Sequence, residues 1–175
     1  MKILLSWGNK VSPEFRTRVI DMCKRFGWTH EHASWLMACM AFESGGTFRP
    51  NVRNAAGSKA VGLIQFMPAT ATALGTTDAA LAAMTAEEQL VWVEKYFRPF
   101  AKRVRSLSDM YMAILLPRMI GAPDAASLFD HGIAYSQNQG LDLNRDGIVT
   151  KAEATHRVAA KLQEGRLHAC TEVWR

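Results

Sequence analysis

Apolar positions recur at helical spacing along most of the chain, and one stretch leaves almost no polar face. Between Ala33 and Phe42 only Ser34 is polar, which predicts a helix that is buried on most of its sides. Two glycines, Gly45 and Gly46, follow and end this helix by supplying left-handed backbone. Glu43 therefore lies in the last turn of a helix whose surface is otherwise apolar.

Capping residues predict the positions of the other helices. Ser and Thr accept hydrogen bonds from the first free amides of a helix, and Pro suits its first turn. These signals, with apolar residues at helical spacing, predict helices that begin at Ser12-Pro13, Thr29, Pro68, Thr85 (as far as about Arg103), Ser108-Asp109 (ending before Pro117) and Lys151 (as far as about Gln163). After a long turn over residues 51–59, which includes Ala55 and Ala56, Val61 to Phe66 is predicted to be a short extended segment.

The length of 175 residues is enough for one domain with a full core, so residues 1–175 are predicted to form a single domain. The formal charge of +5 predicts attraction to polyanions, but no nucleic-acid recognition motif is present. No apolar run is long enough for a membrane helix or a secretory signal, so we expect the chain to be made in the cytoplasm. The odd number of cysteines predicts free thiols, at Cys23, Cys39 and Cys170.

Glu43 is the first candidate for chemistry. Burial beside apolar groups and the carbonyl-rich end of a helix both disfavour the ionised carboxylate, so the pKa of Glu43 should be raised. A carboxylic acid that keeps its proton near neutral pH can act as a general acid. On spacing alone, the alternative that Glu43 is a solvated residue at a helix end stays open.

The sequence around Glu43 resembles that of soluble lytic transglycosylases, a lysozyme-like family that cuts bacterial peptidoglycan. The resemblance rests on Glu43-Ser44, Phe48, Pro50, Gly57-Ser58, Thr70-Ala71 and the motif Gly62-Leu63-Ile64-Gln65-Phe66-Met67-Pro68. It implies a mainly α, α+β lysozyme-like fold with a small β-hairpin beside the active-site groove. It also implies that Glu43 is the only catalytic acid and base, with Ser44, Gln65 and Met67 binding the substrate.

Farther along, the chain departs from this family. Where soluble transglycosylases often have Ala-Tyr-Asn-Ala-Gly, the chain has Ala113-Ile114-Leu115-Leu116-Pro117, which suggests a divergent, phage-type branch. The family uses a tyrosine that hydrogen-bonds to the catalytic glutamate, and the resemblance suggests Tyr135 for this role. A tyrosine that only packs in the core is the alternative.

A second motif predicts calcium binding. Residues 142–153 match the twelve-residue EF-hand loop, in which oxygen ligands at alternate positions surround a hard cation and Gly147 makes the sharp turn. The predicted ligands are Asp142, Asn144, Asp146, Ile148 (through its carbonyl), Thr150 and Glu153. Because there is one such loop, we expect a structural ion. The alternative is a vestigial loop in which Thr150 and Glu153 only cap the next helix.

Together these features predict a phage endolysin, which would act on peptidoglycan as a monomer after release from the host cytoplasm. It would cleave the β-1,4 bond between N-acetylmuramic acid and N-acetylglucosamine and form a 1,6-anhydro ring. Two alternatives remain, a hydrolytic muramidase in which Asp78 steers a water molecule and a murein-binding protein of the virion. The basic residues Lys95, Arg98, Lys102, Arg103 and Arg105 are either a solvated face or a weak contact with an anionic envelope surface.

Overall fold

A computed structural model describes residues 1–54 and 57–174, which are mainly helical, as expected. The helices are α1 Pro13–Arg25, α2 His30–Glu43, α3 Pro68–Leu74, α4 Asp78–Ala83, α5 Ala86–Phe97, α6 Leu107–Leu115, α7 Gly132–Asn138 and α8 Lys151–Arg166. The strands are β1 Lys2–Leu5, β2 Ser127–Phe129, β3 Val149–Thr150 and β4 Cys170–Val173. They form two antiparallel pairs, β1 with β4 and β2 with β3.

Helix α2 lies at the centre of the molecule, as its apolar sequence predicts. Every residue from Leu36 to Ala41 is fully buried. Helices α1, α6 and α8 and strand β1 pack around α2 on different sides. An isolated helix with no polar face would not be stable in water, so α2 depends on these neighbours for its burial.

The predicted helix starts are confirmed at most positions. Ser12 accepts a hydrogen bond from the Phe15 amide, and Thr85 forms a capping box with Glu88. Helix α5 ends at Phe97 instead of continuing to Arg103, because Pro99 has no backbone N–H to extend the ladder. Helix α6 begins one residue earlier than predicted, and α8 continues to Arg166.

The sequence predicts an extended segment from Val61 to Phe66, but residues 62–65 form a turn, and no two-stranded hairpin forms in the described residues of this segment. Among the described residues of this segment, only the isolated bridges Arg53–Val61 and Val61–Phe66 form. Positive φ angles at Gly62 (83°) and Gln65 (53°) turn the chain sharply between the two bridged residues, which leaves no room for a regular ladder. Ala55 and Ala56, within the predicted long turn, lie outside the described residues.

A buried glutamine holds this segment in place. Gln89 on α5 is 0% exposed, and its side-chain oxygen accepts a hydrogen bond from the Leu63 amide at 2.8 Å. Its nitrogen donates to the carbonyls of Pro50 (3.0 Å) and Leu81 (2.9 Å). A Cβ atom on Gly62 would lie 2.2 Å from the Gln89 side chain, so only glycine fits at this approach.

A buried ion pair joins α8 to α6. The Lys151 ammonium, on a residue 1% exposed, donates to Asp109 at 2.7 Å and to the carbonyls of Met119 and Ala122. Burial alone would raise the pKa of Asp109, but the hydrogen bonds from Lys151 and the Gly121 amide outweigh it and keep that pKa below its usual value. The start of α8 is thereby fixed to the first turn of α6.

Within the described residues, no helix combines the length and hydrophobicity that crossing a bilayer requires.

Replacing Gln89 with Leu should lower the free energy of unfolding by roughly 2 to 5 kcal/mol, since three backbone groups would lose their buried partner. Urea denaturation followed by circular dichroism measures this change. Gln163→Leu on the exposed side of α8 is the matched control and should change stability by less than about 0.5 kcal/mol. Equal effects of the two substitutions would contradict the anchoring role of Gln89.

Candidate active site

Glu43 lies where the central helix ends, as predicted. Its neighbours Met40 and Ala41 are fully buried, whereas the Glu43 side chain is only half-buried. Gly45 and Gly46 follow with φ angles of 63° and 78°, and the Gly46 amide donates to the Ala41 carbonyl at 2.6 Å. These left-handed residues stop α2 one turn after the core and leave the Glu43 carboxyl at its edge.

The environment of Glu43 favours the protonated form. Burial raises the pKa of Glu43 to about 8, which confirms the direction expected from its apolar helix. Among the described residues, no other carboxylate contributes to this shift. Glu43 therefore differs from the paired carboxylates of ordinary glycosidases and can hold a proton at neutral pH without a partner.

Two tyrosines lie beside Glu43. The pKa of Tyr96 is raised to about 12 and that of Tyr111 well above its usual value, in both cases by burial and then by the Glu43 charge. The Tyr96 hydroxyl donates to the Ala113 carbonyl at 2.6 Å. Tyr111 is 3% exposed and its ring meets Phe42 edge-on at 5.6 Å. Both phenols are therefore neutral groups beside the carboxyl.

Tyr111, and not Tyr135, is the tyrosine best placed to assist Glu43. The Tyr135 hydroxyl donates to Asp142 in the predicted calcium loop at 2.8 Å, so the suggested role for Tyr135 at Glu43 is corrected. The Tyr111 hydroxyl has no hydrogen-bond partner among the described residues. Tyr111 was not predicted from the sequence, because it lies within the apolar run of α6, where a tyrosine that packs in the core is the simpler interpretation.

Gln65 and Met67 occupy the turn that leads into α3. The Gln65 nitrogen donates to the carbonyls of Val52 (3.1 Å) and Gly62 (3.0 Å). Its side-chain oxygen is buried and, within the described part of the chain, has no partner. Met67 is 48% exposed. A buried acceptor without a donor and an exposed apolar side chain are features that a sugar ligand could satisfy.

Ser44 has a structural role in the turn after Glu43. It is 1% exposed, and its hydroxyl oxygen accepts a hydrogen bond from the Phe48 amide at 2.9 Å. Phe48 has a φ angle of 52° and is itself buried against Trp7 and Phe15. Ser44 therefore shapes the chain beside Glu43, and its contact with substrate stays a prediction.

Asp78, the candidate for steering a water molecule, is paired with a cation. Its carboxylate accepts from the Arg53 guanidinium at 2.8 Å, and this hydrogen bond holds the pKa of Asp78 below its usual value. Arg53 also donates to the Lys59 carbonyl. Asp78 therefore connects α4 to the loop that precedes Val61.

The predicted calcium loop is wound by its own side chains. The oxygens of Asp142, Asn144 and Asp146 accept hydrogen bonds from the amides of residues 145, 146 and 148, at 2.7 to 2.9 Å. Gly147 has a φ angle of 88°, and its amide donates to Asp142 at 3.0 Å. The side chains at alternate positions are thus drawn towards one side of the loop.

Glu153 brings the two ends of the loop together. One carboxylate oxygen accepts from the Leu143 amide at 3.2 Å, and the other accepts from the Thr150 amide and hydroxyl. Thr150 and Glu153 also form the capping box of α8. In the part of the chain that the structure describes, no group of three or more His, Cys, Asp or Glu side chains is close enough to hold a metal ion.

Comparison with known proteins supports the interpretation of the Glu43 region. Residues 28–99 match the family model of the transglycosylase SLT domain. The matched stretch covers less than half of the chain and contains α2, Glu43, Gln65, Met67 and α5. Proteins with this domain are lytic transglycosylases and lysozyme-like glycosidases, so the chain is an enzyme of this type that acts on peptidoglycan. No curated protein and no solved structure gives a significant match.

The raised pKa of Glu43 predicts a pH-dependent difference in stability. The folded protein holds a proton on Glu43 up to about pH 8, whereas the unfolded chain releases it near its usual pKa of 4.5. The stability that this proton contributes is present below pH 4.5 and is lost as the pH rises to about 8. Glu43→Gln cannot ionise, so from pH 5 to pH 8 it should gain roughly 2 to 4 kcal/mol relative to the wild type.

Urea denaturation of both proteins at pH 5 and pH 8 measures this difference. Glu164→Gln, at an exposed position near the end of α8, is the control and should show no comparable change. A difference between wild type and Glu43→Gln that is the same at both pH values would contradict the raised pKa.

Proposed function

We propose that the chain is a peptidoglycan lytic transglycosylase of the phage endolysin type. The observation that carries this proposal is the mostly protonated carboxyl of Glu43, whose pKa is raised by burial without another carboxylate among the described residues and whose charge is felt by the neutral phenols of Tyr96 and Tyr111. A hydrolase of the usual kind needs a second carboxylate as base or nucleophile. One acid is enough when the nucleophile is a hydroxyl of the substrate itself.

In the proposed reaction, Glu43 protonates the glycosidic oxygen between N-acetylmuramic acid and N-acetylglucosamine. The bond from that oxygen to the muramic anomeric carbon breaks, and the acetamido group of the substrate stabilises the positive charge. The ionised Glu43 then takes the proton of the muramic C6 hydroxyl, and the oxygen of that hydroxyl bonds to the anomeric carbon. Glu43 ends protonated, and the product carries a 1,6-anhydro ring without consumption of water.

The surroundings of Glu43 favour this sequence of proton transfers. A carboxyl with a pKa near 8 is protonated at neutral pH and becomes a comparatively strong base once it has lost its proton. The free Tyr111 hydroxyl could donate to the ionised carboxylate and lower the cost of its charge. The unpaired oxygen of Gln65 and the exposed Met67 are the proposed sugar contacts on the other side.

The endolysin role extends the proposal to the cell. The chain would be made in the host cytoplasm and reach the peptidoglycan after release, as a monomer. The departure from the family pattern at residues 113–117, which suggests a divergent, phage-type branch, supports this role. The net charge of +5 supports a weak contact with the anionic envelope.

Product analysis tests the proposed chemistry. Purified peptidoglycan digested by the chain should yield muropeptides with 1,6-anhydro ends, which are one water lighter than hydrolytic products in mass spectra. Glu43→Gln should lose activity by several orders of magnitude, because the variant has no proton to cycle. Reducing ends would instead show a hydrolytic muramidase. If the wild type binds peptidoglycan without cleaving it, and Glu43→Gln binds it equally well, the chain is a murein-binding protein.

The second part of the proposal is a structural calcium ion in the loop of residues 142–153. Asp142, Asn144, Asp146, Thr150 and Glu153 would provide side-chain oxygens, and Ile148 its carbonyl. Hydrogen bonds from Tyr135 and from loop amides outweigh the effect of burial and keep the pKa of Asp142 low, so this ligand is ionised. The hydrogen bond from the Leu143 amide to Glu153 brings the last predicted ligand close to the start of the loop, which supports the proposed ion site. Calcium would compete with the amides for these oxygens.

Calcium should raise the melting temperature of the chain. At a calcium concentration of about 100 times Kd, the expected stabilisation is about 2.7 kcal/mol. For a chain of this size, that corresponds to roughly 5 to 10 °C. Differential scanning calorimetry with calcium or with EDTA measures the shift, which Asp146→Ala should abolish and the exposed-site control Asp124→Ala should retain. Equal melting temperatures in calcium and EDTA would show that the loop is vestigial.

A further inference from the structure

A cavity of about 450 Å³ lies at the opposite end of α2 from Glu43. It is lined by residues from β1, from the first turns of α2 and from the end of α8, including Leu4, Glu31, Trp35, Leu162 and Arg166. Twelve residues of helix separate Glu31 from Glu43, which corresponds to about 18 Å at 1.5 Å per residue. The cavity is therefore separate from the candidate active site.

The cavity has one aromatic wall, and Trp35 forms it. The Trp35 ring contacts His32 in a tilted arrangement, at a centroid distance of 4.5 Å, and His32 stacks in turn on Trp28 at 5.4 Å. Trp28 is anchored in the core, because its indole donates to the Ala101 carbonyl at 2.8 Å. By contrast, the Trp35 indole N–H has no hydrogen-bond partner among the described residues. Contact with His32, which stacks on Trp28, thus holds the Trp35 ring in place, and its indole N–H is available to donate a hydrogen bond to a ligand.

Two opposite charges at the cavity form no ion pair in the described part of the chain, although the Glu31 charge acts on the neighbouring His32. Glu31 and Arg166 are exposed lining residues, and neither forms an ion pair or a side-chain hydrogen bond within the described part of the chain. Arg16 and Glu172, by contrast, form an ion pair with each other. A free carboxylate and a free guanidinium together can accept and donate several hydrogen bonds to one polar ligand.

The cavity walls between these polar groups consist of aliphatic side chains. Leu4, Leu162 and Ala169 line the cavity, and the Ser6 and Ser34 hydroxyls there already donate to the carbonyls of Leu162 and Leu4. A neighbouring cavity of about 620 Å³ shares Leu4 and His30 with the first. The two cavities together offer a continuous surface for a ligand longer than one ring.

We propose that this cavity binds an N-acetylated saccharide of the peptidoglycan glycan strand, at a site separate from the one that cleaves it. A sugar ring has an apolar face that can pack on Trp35 and hydroxyls that can bond to Glu31 and Arg166. The acetamido methyl suits the leucine-lined wall. The site would hold the insoluble polymer while Glu43 acts on another segment, and it rests on the proposed function for its natural ligand.

Holding the polymer at two sites should matter for insoluble substrate. Attachment at the cavity raises the local concentration of glycan near Glu43 when both sites can engage the same network. For a short soluble oligosaccharide that reaches only one site, this advantage is absent. The double variant Glu31→Gln/Arg166→Ala should therefore lower the ratio of sacculus cleavage to soluble-glycan cleavage by about tenfold, a loss that corresponds to about 1.4 kcal/mol of binding.

Titration of the Glu43→Gln protein with N-acetylated chitotriose tests the site directly. The readout is the set of indole N–H signals in a ¹H–¹⁵N spectrum. The Trp35 signal, assigned with a Trp35→Phe variant, should shift in a saturable way. The shift should be lost in Glu31→Gln/Arg166→Ala and retained in the charge control Arg105→Ala. A Trp35 signal that does not move, or that moves equally in the double variant, would overturn the proposal.

The titration separates this proposal from the proposed function. If the wild type cleaves neither sacculi nor soluble glycan, the transglycosylase proposal fails, while the Trp35 shift still decides whether the cavity binds saccharide. If the wild type cleaves both substrates and the double variant gives the same ratio of rates, the cavity has no role and the function stands. Circular dichroism melting curves confirm that each variant is folded.

Discussion

The structure depends on the burial of α2 along nearly its whole circumference. A helix of this kind cannot lie at the surface, so α1, α6, α8 and β1 have to surround it. Its residues from Leu36 to Ala41 are inaccessible to solvent. Gly45 and Gly46 stop the helix just beyond this core, so that Glu43, the last residue of α2, is partly exposed to solvent at its end.

The chemistry of Glu43 follows from this packing. The apolar surroundings that stabilise α2 also disfavour the carboxylate, and they raise its pKa without help from another charge. The segment that carries Gln65 and Met67 is attached to α5 by the hydrogen bond from the Leu63 amide to Gln89, which also donates to the Pro50 and Leu81 carbonyls. The predicted calcium loop is linked to the Glu43 region through α6. Lys151, at the start of α8, bonds to Asp109 on α6, and α6 also carries Tyr111.

The strand that ends the predicted calcium loop is paired within the same chain. EF-hand sensors normally pair two such loops, whereas Val149 and Thr150 pair here with Phe129 and Ser127. Val149 is fully buried in the core. This arrangement ties the loop to a fixed strand, which suits an ion with a structural role better than one that switches between conformations.

Local patterns in the sequence determined six of the eight described helices, most of their caps, the position of Glu43 and the direction of its pKa shift, because these depend on neighbours within a few residues. The short helices α4 and α7 were not predicted. The resemblance around residues 33–75 added Gln65 and Met67. Only the tertiary structure decided which tyrosine lies beside Glu43, that Ser44 and Tyr135 have other partners, and that Gln89, Lys151 and Asp109 are buried. Gln89 bonds to Leu63 across 26 residues and Lys151 to Asp109 across 42, and spacing along a chain carries no information about such distant pairs. Ser44 and Tyr135 bond to residues only 4 and 7 positions away, but spacing does not show which of the nearby polar groups each side chain selects.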